Sequence, residues 1–159
     1  MIRVNNTEAF ALIDLSNVSS LDLFKHESIT LGHLVLNPAD NQSYTIIDRF
    51  GSLPGTSTIQ KAFKRDGVVV GVTITSSVSS TLGSNESVTV SLSNRTSAID
   101  TILSSSVRCD ARSNVYDVTG LNIAFNADDR YNVIIDTPAW ITQNPQGVTW
   151  SVVLHIRYN

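Results

Sequence analysis

Hydrophobic and polar positions alternate along much of this chain with the period of two expected of a β-strand that has one buried and one wet face. The pattern is clearest in VTWSVVLHIRY (148–158). Trp150, Val152, Leu154, Ile156 and Tyr158 fall on one side, and Ser151, Val153, His155 and Arg157 on the other. In GVVVGVTIT (67–75), Val68, Val70, Val72 and Ile74 form one row and Val69, Gly71, Thr73 and Thr75 the other. Gly71 there marks a bulge or a close backbone approach. Val88, Val90 and Leu92 repeat the alternation, as do Leu121, Ile123 and Phe125, and then Tyr131, Val133 and Ile135. SITLGHLVL (28–36) and SYTIIDRF (43–50) read as two more strands, joined by a turn at Asn37-Pro38-Ala39-Asp40-Asn41. TEAFALIDL (7–15) fits either a short helix capped by Thr7 or an edge strand, and TSAIDTIL (96–103) fits one or two helical turns. The prediction is an all-β fold: an antiparallel β-sandwich with at most one or two short helices and one wet face per sheet.

Composition supports this and narrows the partners. A chain of 159 residues fits one domain and buries enough surface to need no metal or disulfide staple. Charged residues are only 16%, and 21 Ser, 15 Thr and 13 Asn fill the polar positions instead. Such residues suit turns and solvent-facing strand positions. The net charge of −3 argues against nucleic-acid wrapping, which needs many phosphate-neutralising cations. Cys109 is the sole cysteine, so no intrachain disulfide forms and a buried thiol is expected. The first residues lack a signal-peptide pattern, and no run approaches the ~18 apolar residues of a membrane span, so no membrane insertion is expected.

Catalytic chemistry leaves few traces. No G-x-S-x-G elbow is present, and the histidines are His26, His33 and His155. No catalytic residue, cofactor or metal site is assigned. The acidic loop Asn126-Ala127-Asp128-Asp129 fits a solvated turn better than a Ca²⁺ site. GSLPGTST (51–58) lacks the lysine of a phosphate loop. Two stretches remain as binding candidates. In TPAWITQNPQG (137–147), Trp140 with Thr142, Gln143 and Asn144 offers an aromatic face beside neutral hydrogen-bonding groups, which is what a sugar ring needs. Lys61, Lys64 and Arg65 beside Phe63 form the sole basic cluster, a candidate anion site.

RDGVVVGVTIT (65–75), SVTVSLS (87–93), DRYNVIIDTPAW (129–140) and VTWSVVLHIRY (148–158) together resemble the strand order of small jelly-roll heads. These are the tumour-necrosis-factor-like and complement-type domains and the knobs of viral and phage fibres. The resemblance covers about residues 28–159 and leaves 1–27 as an N-terminal segment, either a shaft junction or an edge strand. It implies a jelly-roll head that assembles as a homotrimer on a virion surface and attaches to a host receptor or glycan. The alternative it leaves open is a single-jelly-roll capsid or decoration protein that binds other virion proteins. A three-fold interface built on the 148–158 strand would use Trp150, Val153, His155 and Tyr158.

Overall fold

The computed structural model describes residues 5–6, 9–10, 25–35, 37–46, 53–54 and 60–159. Two strands near the N-terminus, β1 (Asn5–Asn6) and β2 (Ala9–Phe10), pair with each other. The sandwich follows: β3 (His26–Val35), β4 (Ser43–Ile46), β5 (Leu53–Pro54), β6 (Lys61–Ala62), β7 (Gly67–Val78), β8 (Ser87–Asn94), β9 (Ile99–Arg108), β10 (Ser113–Phe125), β11 (Arg130–Asp136) and β12 (Val148–Tyr158). No helix occurs among the described residues. Positions 47–50 of the second predicted strand and most of TEAFALIDL lie outside them.

One sheet has the order β10-β7-β12-β3, and the other the order β5-β4-β11-β8-β9 with β6 also pairing β11. Every pairing is antiparallel. Among the principal strands β3, β4 and β7 to β12, each connection crosses from one sheet to the other except the β8–β9 hairpin. That wiring is the jelly roll, two Greek keys folded into a sandwich.

The inner rows make one core. Trp150, Val152, Leu154, Ile156 and Tyr158 of β12 meet Val88, Val90 and Leu92 of β8 and Tyr131, Val133 and Ile135 of β11, all buried. Phe63 stacks on Phe125 and Tyr131 with centroids 3.7 and 4.0 Å apart and closes one end. Cys109 is buried in the same core, and burial pushes its thiol up to about 12, so it stays protonated and inert.

Four details depart from the sequence reading. In β7 the inward residues are Val69, Val72 and Ile74, so the alternation changes phase across Gly71. The cause is a bulge: β12 steps from His155 to Ile156 while β7 steps from Gly71 to Val69. TSAIDTIL is not helical: residues 95–98 form the β8–β9 turn, with Ala98 at φ 56°, and β9 begins at Ile99. The outer face of the second sheet is dry at its centre, where Thr45, Ser91, Ser93, Asn132 and Ile134 are buried too, while its edge strand β9 exposes Ile99 and Ile102. Trp150 and Tyr158 are core residues, 0% and 3% exposed, and cannot form an intermolecular surface.

The buried Trp150 indole N–H meets only the Cys109 sulfur, a weak acceptor, which sets up a test. Trp150→Ala should lose about 3–5 kcal/mol through the cavity it leaves. Trp150→Phe keeps much of the packing, gives up only a weak contact to sulfur and should cost under about 1.5 kcal/mol. Urea midpoints at unchanged slope would measure both.

Candidate functional site

The outer face of the first sheet is an open surface. Its cross-strand register lays side chains in rows over all four strands. Val115, Thr75, Ser151 and Gly32 form one row, Asp117, Thr73, Val153 and Thr30 the next, and Thr119, Gly71, His155 and Ser28 a third. Nearly all are short, and only Asp117 and His155 carry or can carry charge.

A chain of hydrogen bonds ties this face together. The Thr73 hydroxyl donates to Asp117 Oδ1 at 2.7 Å, so its oxygen can only accept from His155 Nε2, 3.0 Å away. That fixes the proton on Nε2 and leaves Nδ1 to accept from the Ser28 hydroxyl at 3.2 Å. Gly71 lets β10 approach β7 closely beside this chain. A Cβ at position 71 would stand 2.9 Å from the Val118 carbonyl oxygen and 3.7 Å from His155 Cδ2. The first distance is too short for a side chain and the second is ordinary contact, so the glycine serves the β7–β10 approach. Ser28, His155 and Asp117 are triad residue types, yet they sit on an open sheet face. None of the three lines either of the two cavities found among the described residues.

The remaining predicted residues scatter. Trp140 is 6% exposed and caps the end of the sandwich, so it offers no open face to a sugar. Its backbone N–H donates to Asp40 at 3.3 Å, and the Asn144 amide is spent on Asp40 Oδ1 at 2.9 Å and the Pro38 carbonyl at 3.3 Å. Thr142 and Gln143 are exposed, next to an Ile141 that is 84% exposed. The aromatic-plus-amide group that the sequence suggests is therefore not assembled: the loop is laced to residues 79–84 through Ser84 N to Gln143 O and Gln146 N to Thr81 O, which draws the indole inward. In the acidic loop, Asp129 accepts from Asn126 N at 2.9 Å and from the Asn94 amide at 3.2 Å, which makes it a turn brace.

The basic cluster divides. Lys61 and Lys64 line a cavity of about 130 Å³ together with Glu27, Ile29, Ala62, Phe63, Tyr131 and Tyr158. Arg65 stacks its guanidinium 4.6 Å from the centroid of the Tyr158 ring. The Tyr158 hydroxyl donates a short hydrogen bond to Glu27 Oε2. Burial, then the Glu27 carboxylate, pushes the phenol up to about 12. Sequence reasoning missed Glu27 and Ser28, because nothing in a strand start identifies a residue as the cross-strand partner of another 127 positions away.

No known family matches this chain, and no curated protein matches it. Among solved structures it is similar to a chain of the cyanophage Pam1 capsid asymmetric unit, with 14% identity over 100% of both chains and a TM-score of 0.48. It is also similar to FlhE, with 12% identity over 82% of this chain and 98% of that one and a TM-score of 0.36.

Two outcomes test the geometry. Gly71→Ala should cost about 1–3 kcal/mol, because the β7–β10 approach must open to admit the methyl group; thermal melting measures it. Tyr158 has a folded pKa above its unfolded value of 10, so its contribution is complete below pH 10 and is lost as pH rises towards 12. Denaturation at alkaline pH should show that loss, and Tyr158→Phe should flatten it.

Proposed function

We propose that this chain is a non-enzymatic structural subunit of a virion: a jelly-roll head at the particle surface that docks to other copies of itself through the outer face of its first sheet. The observation that carries the reading is the asymmetry of the two sheets. The second sheet is buried on both faces only at its centre and exposes its edge strand β9, whereas the first presents across all four strands an open surface of short hydroxyl side chains tied together by the Ser28–His155–Thr73–Asp117 chain. Such a face is suited to docking. Ser, Thr and Gly lose little rotamer entropy when covered, hydroxyls pair as donors or acceptors, and few charges need desolvation. Val153 and Val115, the latter 60% exposed, supply the apolar spots. In this reading Val153 and His155 belong to the interface and Trp150 and Tyr158 support it from inside.

The virion setting draws on the resemblance of the strand pattern to fibre heads and coats. A second reading, a capsid or decoration subunit, rests on the same face but places a different virion protein over it.

Light scattering decides between a self-docking head and the alternative. The expected mass is that of a trimer, insensitive to salt, and Val153→Arg should give a folded monomer by placing a long cation in the middle of the face. A wild-type monomer at micromolar concentration would overturn the self-docking head.

A further inference from the structure

We propose that this chain also stacks end to end with further copies of itself, Ile141 of one copy seating in the cleft between β9 and β10 at the opposite end of the next. Backbone hydrogen bonds define the two ends. They join residues 37–42, 79–86, 109–112 and 137–147 at one end, and 60–66, 95–98 and 126–130 at the other.

Ile141 is the most exposed large hydrophobic residue among those described, at 84%. A lone exposed isoleucine is ordinary, but this one is held in place. Trp140 before it is anchored in the core, its own N–H donates to Glu86 Oε1 at 3.2 Å, and the Gln143 N–H donates to Ser84 Oγ at 3.3 Å. The side chain therefore stands on a fixed loop, which limits the ordering cost of covering it.

The cleft lies at the far end. β9 and β10 are edge strands of different sheets, so no ladder closes the gap between them. Its accessible lip is Ile99, 58% exposed, with Thr101 on β9 and Ile123 and Ala124 on β10. The contact surface is this lip, and the stacked rings of Phe63, Phe125 and Tyr131 stay buried behind it. At about 80 Å³ the cleft is far below the roughly 300–1,000 Å³ of pockets for drug-sized ligands, so it suits one aliphatic side chain.

Charge favours a second copy as the occupant. The loops of the Ile141 end carry Asp40, Glu86 and Asp110 against Arg112, a net negative charge. The segments of the cleft end carry Lys61, Lys64, Arg65, Arg95 and Arg130 against Asp66, Asp128 and Asp129, a net positive one. Stacking brings unlike ends together, whereas end contacts of the same kind bring like charges together. A contact between two different patches leaves one knob and one cleft free after every addition, so it grows as an open series. The proposal does not depend on the face-docking reading, since neither Ile141 nor the cleft belongs to the rows of that face.

Sedimentation velocity of the full chain carrying Val153→Arg tests this with face docking removed. The average sedimentation coefficient should climb from micromolar to millimolar concentration without levelling at a dimer, and added salt should reduce the climb. Ile141→Ala should weaken stacking by about tenfold. Ile141→Asp and Ile99→Asp should each stay monomeric, with unchanged melting temperatures because both side chains are exposed in the free protein. Mixed together they should form one capped dimer, the intact knob of one in the intact cleft of the other. A Val153→Arg protein that stays monomeric or levels at a dimer would overturn the proposal. So would stacking that survives Ile141→Asp, or a mixture that stays monomeric. Face docking is read separately, from the wild-type mass at low concentration, so either contact can fail without the other.

Discussion

Everything in this molecule depends on one strand slotting between two others. β12 is bonded along its length to β3 on one side and β7 on the other, and its inner row is almost wholly shielded from water. Its neighbours lie far off in sequence: Ser28 and His155 are 127 positions apart, Thr73 and His155 are 82. Until β12 arrives, β3 and β7 have no common partner and the first sheet does not exist as a surface. Closing such distant contacts carries a large entropic cost before any burial offsets it. The most apolar alternating row in the chain is therefore found where the cost is greatest.

The core also dictates the outer face. Strand side chains alternate with a period of two, so seating Trp150, Val152 and Leu154 inward commits Ser151, Val153 and His155 outward. A slip of one residue would bury His155 and Arg157 and expose Trp150. The bulge at Gly71 is the one place where this strict coupling is relaxed. It lets β7 change phase, so that Val69 and Val72 both face inward, and its glycine admits the close approach of the Val118 carbonyl of β10.

Where burial falls on one side of a strand, the sequence was legible: β8, β11 and β12 appear in the alternation of valines, leucines and aromatics almost residue for residue. β9 was not, because DTILSSSVRC holds few apolar residues and pairs through a bulged register. The first half of β10, an edge strand with exposed residues at alternate positions, gave no periodic signal for the same reason. The phase change in β7 was invisible because GVVVG is apolar on either count. The site residues failed differently. Trp140 looked like a ligand platform because tryptophan between prolines signals an exposed loop, and only the lacing to residues 79–84 shows that the ring turns inward. Lys61 and Lys64 were legible as a cluster. Glu27, which lines the same cavity, was not, since that placement depends on which strand end the jelly-roll wiring brings alongside.

That wiring gives β12 two roles. In mid-strand it turns His155 outward, where two hydrogen bonds tie it to Ser28 and Thr73 on the outer face of the first sheet. At its end, Tyr158 sits between the Arg65 guanidinium and the Glu27 carboxylate, and its backbone N–H binds the Lys25 carbonyl at 2.7 Å. The seating of β12 thus builds both surfaces at once, on opposite faces of the same strand. Fraying at Tyr158 would release Glu27 and open the flank cavity, while the face around His155 would stay fixed by the ladder to β3 and β7. The two surfaces share an origin in folding but differ in how easily they are lost, and the flank cavity is the more fragile because its last tie lies at a strand terminus.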